Sequence, residues 1–552
     1  MNPRKLRRFS GDVLRVISGA AIVLICFCGS SCSSRESNVE KGNREQVLHR
    51  GIGPSLADLD PHLATGTTDY IVLSALFEGL VAEDPVDLHP VPGVAERWEV
   101  SADGLVYTFY LRANAKWSNG DPVTAADFLG SWQRVLTPSF AADYANLLYV
   151  VRGAQAFHQG QLKDFSAVGF SAPDPRVVRI TLEQPTPYFL SLLQHWMWYP
   201  VHLKSISAIG SPYSRGTAWA RPGKLVGNGP FTLQTWESGQ RIVVAKSPTY
   251  WDADAVKLQA INFYPYESVD AEERAFRAGQ LHLTEAMPVA KIDRYRDDEP
   301  ELLRIDPYLG TYFYRLNTAR PFLNDPKIRQ ALNLAVDRAS IVENILQGAQ
   351  SVAGSLVPPG TGGYTPPSPL HTDFDAARAL LVEAGYPGGN GAPTIELLFN
   401  SSENHRLIAE AIQEMWRREL GLDVALLNME FKTTLEARRV GNYQVLRSSW
   451  IADYADPSSF LDVWRSSSSN NYTGWSSPAY DKLLFEAERL TDPAARFDRL
   501  QRAETLLLGE APILPIYHYT HVFLIRPSVL GWHPTLLDHH PYKFVSLQPP
   551  SP

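Results

Sequence analysis

"PTIELLFNSSENHRLIAEAIQEMWRRELGLDVALLNMEFKTTLEARRVGNYQVLRSS", residues 393–449, decides the fold. "PTIELLF" predicts a strand. "ENHRLIAEAIQEMWRREL" follows with Leu407, Ile408, Ala411, Ile412, Met415 and Trp416 at helical spacing. Gly421 stops that helix. "LDVALLN" predicts a second strand, "FKTTLEARRVG" a helix and "YQVLRSS" a third strand. A βαβαβ order implies an α/β fold with a parallel sheet. Such sheets bind ligands beyond the carboxyl ends of their strands. The loops at those ends are 400–405, 428–431 and 448–453.

Asp453 lies in the last of these loops, in "WIADY" (450–454). A carboxylate among large apolar groups is costly unless a positive group meets it. Two partners are open: a nearby arginine such as Arg447, or a cation carried by a ligand. Asp456 reads differently. It precedes Pro457 and an apolar run, the pattern of a helix cap.

Outward from this block, "VYTFYL" (106–111) is a strand after the turn "SADG". "VTAADFLGSWQRVL" is a helix with Thr124 or Asp121 near its start. Residues 228–266 look all-β. The chain has 552 residues, enough for two or three domains. The formal charge of −8 argues against nucleic acid as a partner. Of its 13 Trp, 24 Tyr and 23 Phe, part must be core and part suits a wet recognition surface.

The three cysteines, Cys26, Cys28 and Cys32, stand near the N-terminus, so no disulfide or thiolate metal site is expected elsewhere. A basic start and the apolar run "VISGAAIVLICFC" (16–28) read as a signal peptide over 1–31. "GSSC" resembles a bacterial lipobox. Cys32 would then carry lipid, with 32–49 as a tether. No later segment reaches membrane-spanning length. There is no G-x-S-x-G, P-loop, dinucleotide fingerprint or H-E-x-x-H. No catalytic group, metal or cofactor is therefore expected. The fourteen histidines, including those in "YHYTH" (517–521) and "DHHP" (538–541), read as surface or core groups.

The stretch 91–134, from "VPGVAERWEV" to "LGSWQR", resembles the oligopeptide-binding proteins of bacterial ABC importers, extracellular solute-binding protein family 5. So do "SLADLDPH", "NGPFTL", "SPTYWDA", "PFLNDPKIRQALNLAVDR" and "ARALLVEAGY". The likeness runs from about residue 50 to 530. It implies a two-lobed flytrap fold with an extra third domain: lobe I over 50–77, 204–309 and 520–552, the extra domain over 78–203, and lobe II over 310–519. It also implies a monomeric extracytoplasmic receptor that hands short peptides to ABC permease subunits; the membrane anchor read from "GSSC" departs from the freely soluble enteric relatives.

The resemblance assigns Asp453 to the peptide's α-ammonium. Gly66, Thr67, Ser449 and Ile451 would meet its backbone. Arg447, Arg438 and His405 would meet its carboxylate. Tyr144, Tyr308, Phe313, Arg315, Phe431 and Trp450 would wall the pockets. Some relatives carry a disulfide where this chain has Gly310 and Ile451, and glutamates where it has Thr65 and Arg315. Two other readings stay open: a receptor for murein peptides or another non-standard solute, and an exported hydrolase on a related scaffold.

Overall fold

The structure is a computed structural model. It describes residues 36–549 apart from 57, 216, 217, 453 and 469, and leaves out the side chains of 431 and 432. Cys32 and Asp453 therefore lie outside the described residues. Three sheets organise the chain.

The first sheet has the order Val47–Gly51, Ala260–Tyr264, Arg241–Lys246, Phe231–Glu237. Its inward residues pack in one apolar cluster with Leu48, Leu73, Phe263 and, from the C-terminus, Phe523 and Val545. The all-β reading of 228–266 holds. The second sheet is antiparallel: Ala95–Val100, Val106–Leu111, Val177–Thr181, Phe170–Asp174. The predicted helix, Ala125–Leu136, belongs to this region. Asp127 Oδ2 accepts from both the Thr124 N–H and the Thr124 hydroxyl, which fixes its first turn.

A buried ion pair joins these two parts of the chain. Arg134 donates to Asp60 through two nitrogens, at 3.0 and 2.5 Å. The guanidinium also faces His62 Nδ1 at 2.7 Å, and His62 Nε2 lies 3.0 Å from the Tyr199 carbonyl. Nδ1 therefore accepts and Nε2 donates, so the ring is neutral. Burial, then Arg134, lowers its pKa to about 4. The "DLDPH" motif is thus a buried polar clamp.

The third sheet has six strands, in the order Ser351–Val352, Ile513–Leu524, Leu303–Leu316, Val445–Ile451, Ile395–Asn400, Val424–Met429. The predicted βαβαβ block is present, with Ile395–Asn400 parallel to both of its neighbours. Its first helix is Glu403–Leu420, ended by Gly421 at φ 67°. The sheet as a whole is mixed rather than parallel, because Leu303–Leu316 runs antiparallel to Val445–Ile451. That strand and Ile513–Leu524 are long and paired, from Leu303 opposite Leu524 to Arg315 opposite Ile513. A register shift interrupts them between Pro307 and Thr311. Among the described residues no helix is long and apolar enough to cross a membrane.

Candidate functional site

One strand edge carries the site. Ile395–Asn400 pairs with Val445–Ile451 only through Val445 and Leu446. From Arg447 to Ile451 the outer edge of that strand has no ladder partner among the described residues. The Ala452 N–H donates to the Leu309 carbonyl. Backbone groups alternate along a strand, so those of Ser449 and Ile451 point away from Leu303–Leu316, toward the open edge.

Two adjoining cavities lie at the Ile451 end of this edge, and the first borders it directly. One, of about 210 Å³, is lined by Thr65, Thr67, Tyr144, His195, Trp196 and Tyr308 opposite Ile451, Ala452 and Tyr454. The other, of about 220 Å³, shares Thr67, Trp196, Tyr308 and His539 with it and adds Tyr519, His521, Asp538 and Glu285. Both cavities have aromatic walls; the first also carries Glu83, and the second the charged groups Glu285, His521 and Asp538. A larger space of about 790 Å³ is lined by Tyr107, Tyr188, Gly362, Ala455, Asp456 and Phe497. None of the residues of the open edge, 447–451, lines it. Tyr188 and Tyr454, stacked at 4.7 Å, separate it from the smaller cavities.

The aromatic walls are placed unequally. Tyr144 sits edge-on to His195 and Trp196, at 5.3 and 6.2 Å. Tyr308 lines both cavities, and burial raises its hydroxyl to about 12. Trp450 is half-buried against the apolar cluster of Phe313, Phe460 and Trp464, with no partner for its buried Nε1 among the described residues. Phe313 is fully buried and edge-on to Trp464. Arg315 is 1% exposed and lines neither cavity. Its guanidinium holds the carbonyls of Asn470 and Asn471, bonds Ser448 Oγ and lies over the Trp464 ring at 4.7 Å. Burial lowers its pKa to about 10. The reason is strand alternation: Tyr312 and Tyr314 take one face of Leu303–Leu316, and Phe313 and Arg315 the other. Phe431 begins the helix Phe431–Arg439.

Gly66 and Thr67 open the helix Thr67–Leu76. The Gly66 N–H is taken by Asp69, and its carbonyl accepts from the Tyr70 N–H. Thr67 faces both cavities.

The structure brings Arg447 and His405 together around Tyr312. Arg447 donates to Asn400 Oδ1 and the Tyr519 hydroxyl and lies over the Tyr312 ring at 4.6 Å. His405 Nδ1 is 3.4 Å from the Tyr312 hydroxyl. Burial, then Arg447, lowers the His405 pKa to about 4. Arg438 stands apart, over Tyr472 at 4.8 Å. None of these arginines has a carboxylate partner among the described residues. Asp456 does cap the turn that follows, accepting from the Ser458 N–H, and is also gripped by Arg496 at 2.7 and 2.9 Å.

Reading the histidines as surface or core groups misses three that line the cavities: His195, His521 and His539. Glu83 was missed with them. Its partner His539 lies 456 positions away, beyond any local pattern.

The family model for bacterial extracellular solute-binding proteins, family 5, matches residues 89–472. The chain belongs to this family. It is 36% identical to the periplasmic oligopeptide-binding protein OppA of Escherichia coli K12, over 88% of this chain and 90% of that one. It is 37% identical to the periplasmic murein peptide-binding protein MppA of the same strain, over the same shares of each chain. Among solved structures, the unliganded open form of the murein tripeptide-binding protein MppA superposes with a TM-score of 0.82 at 36% identity. It covers 91% of this chain and 97% of that one. The two-lobed α/β architecture expected from the sequence is therefore the one present, in a family of binding proteins.

Proposed function

We propose that this family 5 protein captures short peptides in the cleft beside Arg447–Ile451 and hands them to an ABC permease. The open strand edge carries the reading. An extended peptide can complete it by strand addition, with its side chains falling into the aromatic-walled cavities. Ser449 and Ile451 supply the backbone groups, and Thr67 faces the ligand from the opposite wall. Asp453 takes the α-ammonium, as its place in "WIADY" suggests. Arg447 and His405 take the carboxylate, with Arg438 in reach of longer peptides. The lobe limits expected from the sequence put a moving joint in the two long paired strands. Cys32 carries the lipid that keeps the receptor at the membrane, and the receptor works as a monomer.

Mass spectrometry of ligand released by denaturing the purified protein tests the reading, with calorimetry of tripeptides on the emptied protein. Recovery of peptides and saturable binding are expected. A non-peptide ligand, or cleavage of the added peptides, would overturn it.

A further inference from the structure

His539 sits where the two cavities meet and lines both. Its Nδ1 lies 2.6 Å from Glu83 Oε1, and Glu83 Oε2 accepts from the Tyr70 hydroxyl at 3.1 Å. The ring packs against Tyr70 at a tilt of 34°, with centroids 4.0 Å apart. Glu83 is buried, and no lysine or arginine pairs with it among the described residues. The carboxylate therefore fixes one proton on Nδ1 whatever the charge of the ring. Nε2 has no partner among the described residues and borders open space. Its state is left to the ligand.

The other titratable groups near the ring are already committed. His195 accepts from the Met197 N–H at Nδ1, which puts its proton on Nε2, and burial keeps it neutral, its pKa lowered to about 3. Asp538 is bonded by His521 and His540 at 2.9 Å each. Glu285 is paired with Arg50 at 3.2 Å. Tyr308 is a neutral hydroxyl across the cavity.

We propose that the Glu83–His539 pair reads the ligand in the cleft. With a neutral ring, Nε2 accepts from a ligand N–H, such as an amide. With a carboxylate, a proton is taken from solvent onto Nε2, and the imidazolium donates to the ligand while Nδ1 still donates to Glu83. Glu83 and the new ligand charge then share one buried cation, which removes the cost of two like charges in the site. This inference rests on the peptide reading of the cleft and adds a substrate property: acidic ligands bind with proton uptake, neutral ones without.

The test is calorimetry in buffers of different ionisation enthalpy, between about pH 6 and 9. The probes are alanine tripeptides carrying glutamate or glutamine at each position in turn, with free and amidated C-termini to separate side-chain from terminal carboxylates. At one position or terminus the carboxylate form should take up more protons than its neutral counterpart. His539→Asn keeps a donor toward Glu83 and lacks the second nitrogen. It should abolish that difference and lower the acid-to-amide affinity ratio about tenfold. Glu83→Gln, which keeps the Tyr70 bond, should also abolish the uptake, and it decides the matter if His539→Asn does not fold. Equal uptake for acid and amide peptides in the wild type, or undiminished uptake in the variants, would overturn the inference alone. Failure of every tripeptide to bind would overturn the peptide reading as well.

Discussion

Gly310 and Ile451 stand directly opposite each other in the antiparallel pair of Leu303–Leu316 and Val445–Ile451. A Cβ built on Gly310 would run into Ile451 Cδ1 and would approach the Tyr519 ring at 3.0 Å. The isoleucine fills the space the glycine leaves, so the pair forms one packing unit beside the cleft. The Leu309–Ala452 bond makes 310 and 451 a non-hydrogen-bonded pair, whose Cα atoms lie about 4.5 Å apart. That is within disulfide range.

Gly310→Ala should therefore make the exposed Ile451 side chain swing aside and destabilise the protein by about 1 kcal/mol at most. Gly310→Ala with Ile451→Ala should recover part of that loss. The double variant Gly310→Cys, Ile451→Cys, in a form lacking the three N-terminal cysteines, should close a cross-strand disulfide worth about 2–4 kcal/mol. Melting with and without reductant, plus thiol counting, checks this. Free thiols in the oxidised sample would show that the two positions do not face each other.

The Asp60–Arg134 pair predicts an asymmetry. Both side chains are nearly inaccessible, at 2% and 0%. Asp60→Leu alone strands a buried guanidinium and should cost about 3–5 kcal/mol. Replacing both, with Arg134→Met, removes the stranded charge and should cost less than the single change. Urea unfolding of Asp60→Leu, Arg134→Met and the double variant measures the coupling. Additive losses would mean that the pair is not an energetic unit.

The βαβαβ block was legible because its signal is local: helical spacing over 403–420, a stopping glycine and short apolar strands. The mixed sheet was not, because Leu303–Leu316 joins from a distant part of the chain. Its residue types were visible, but not which of them face the cleft, and that decides why Tyr312 meets Arg447 while Phe313 and Arg315 turn to the core. The Asp60–Arg134 and Glu83–His539 pairs span 74 and 456 positions. No periodicity reports a partner so far away. The peptide roles came from the family motif rather than from spacing.

Asp453 and Arg447 give the ligand's two ends separate tests. Asp453→Ala and N-acetylation of the peptide should each weaken binding by about 10²-fold, and the two together by little more. Arg447→Met and amidation of the C-terminus should behave in the same way for the peptide length that reaches it. Calorimetric cycles decide both cases. Full additivity within either pair would mean that the two groups do not meet.

The last prediction concerns Glu504 and pH. This carboxylate is fully buried, accepting from the Leu356 and Val357 N–H groups and the Tyr364 hydroxyl at 2.8 Å each. No cation pairs with it among the described residues. Burial outweighs these three bonds and raises its pKa from 4.5 to about 7. Between those values the folded state holds a proton that the unfolded chain has lost. Stability must then fall as pH rises from about 4.5 to 7, and stay level for this group above that. The shift is worth roughly 3 kcal/mol. Glu504→Gln keeps an acceptor for both N–H groups and a donor toward Tyr364, and it cannot ionise. Relative to wild type, the variant should therefore gain roughly 3 kcal/mol on going from about pH 5 to pH 8. Denaturant unfolding of both proteins at the two pH values measures this double difference, in which the other titrating groups cancel. A double difference near zero would mean that Glu504 titrates alike in the folded and unfolded chains.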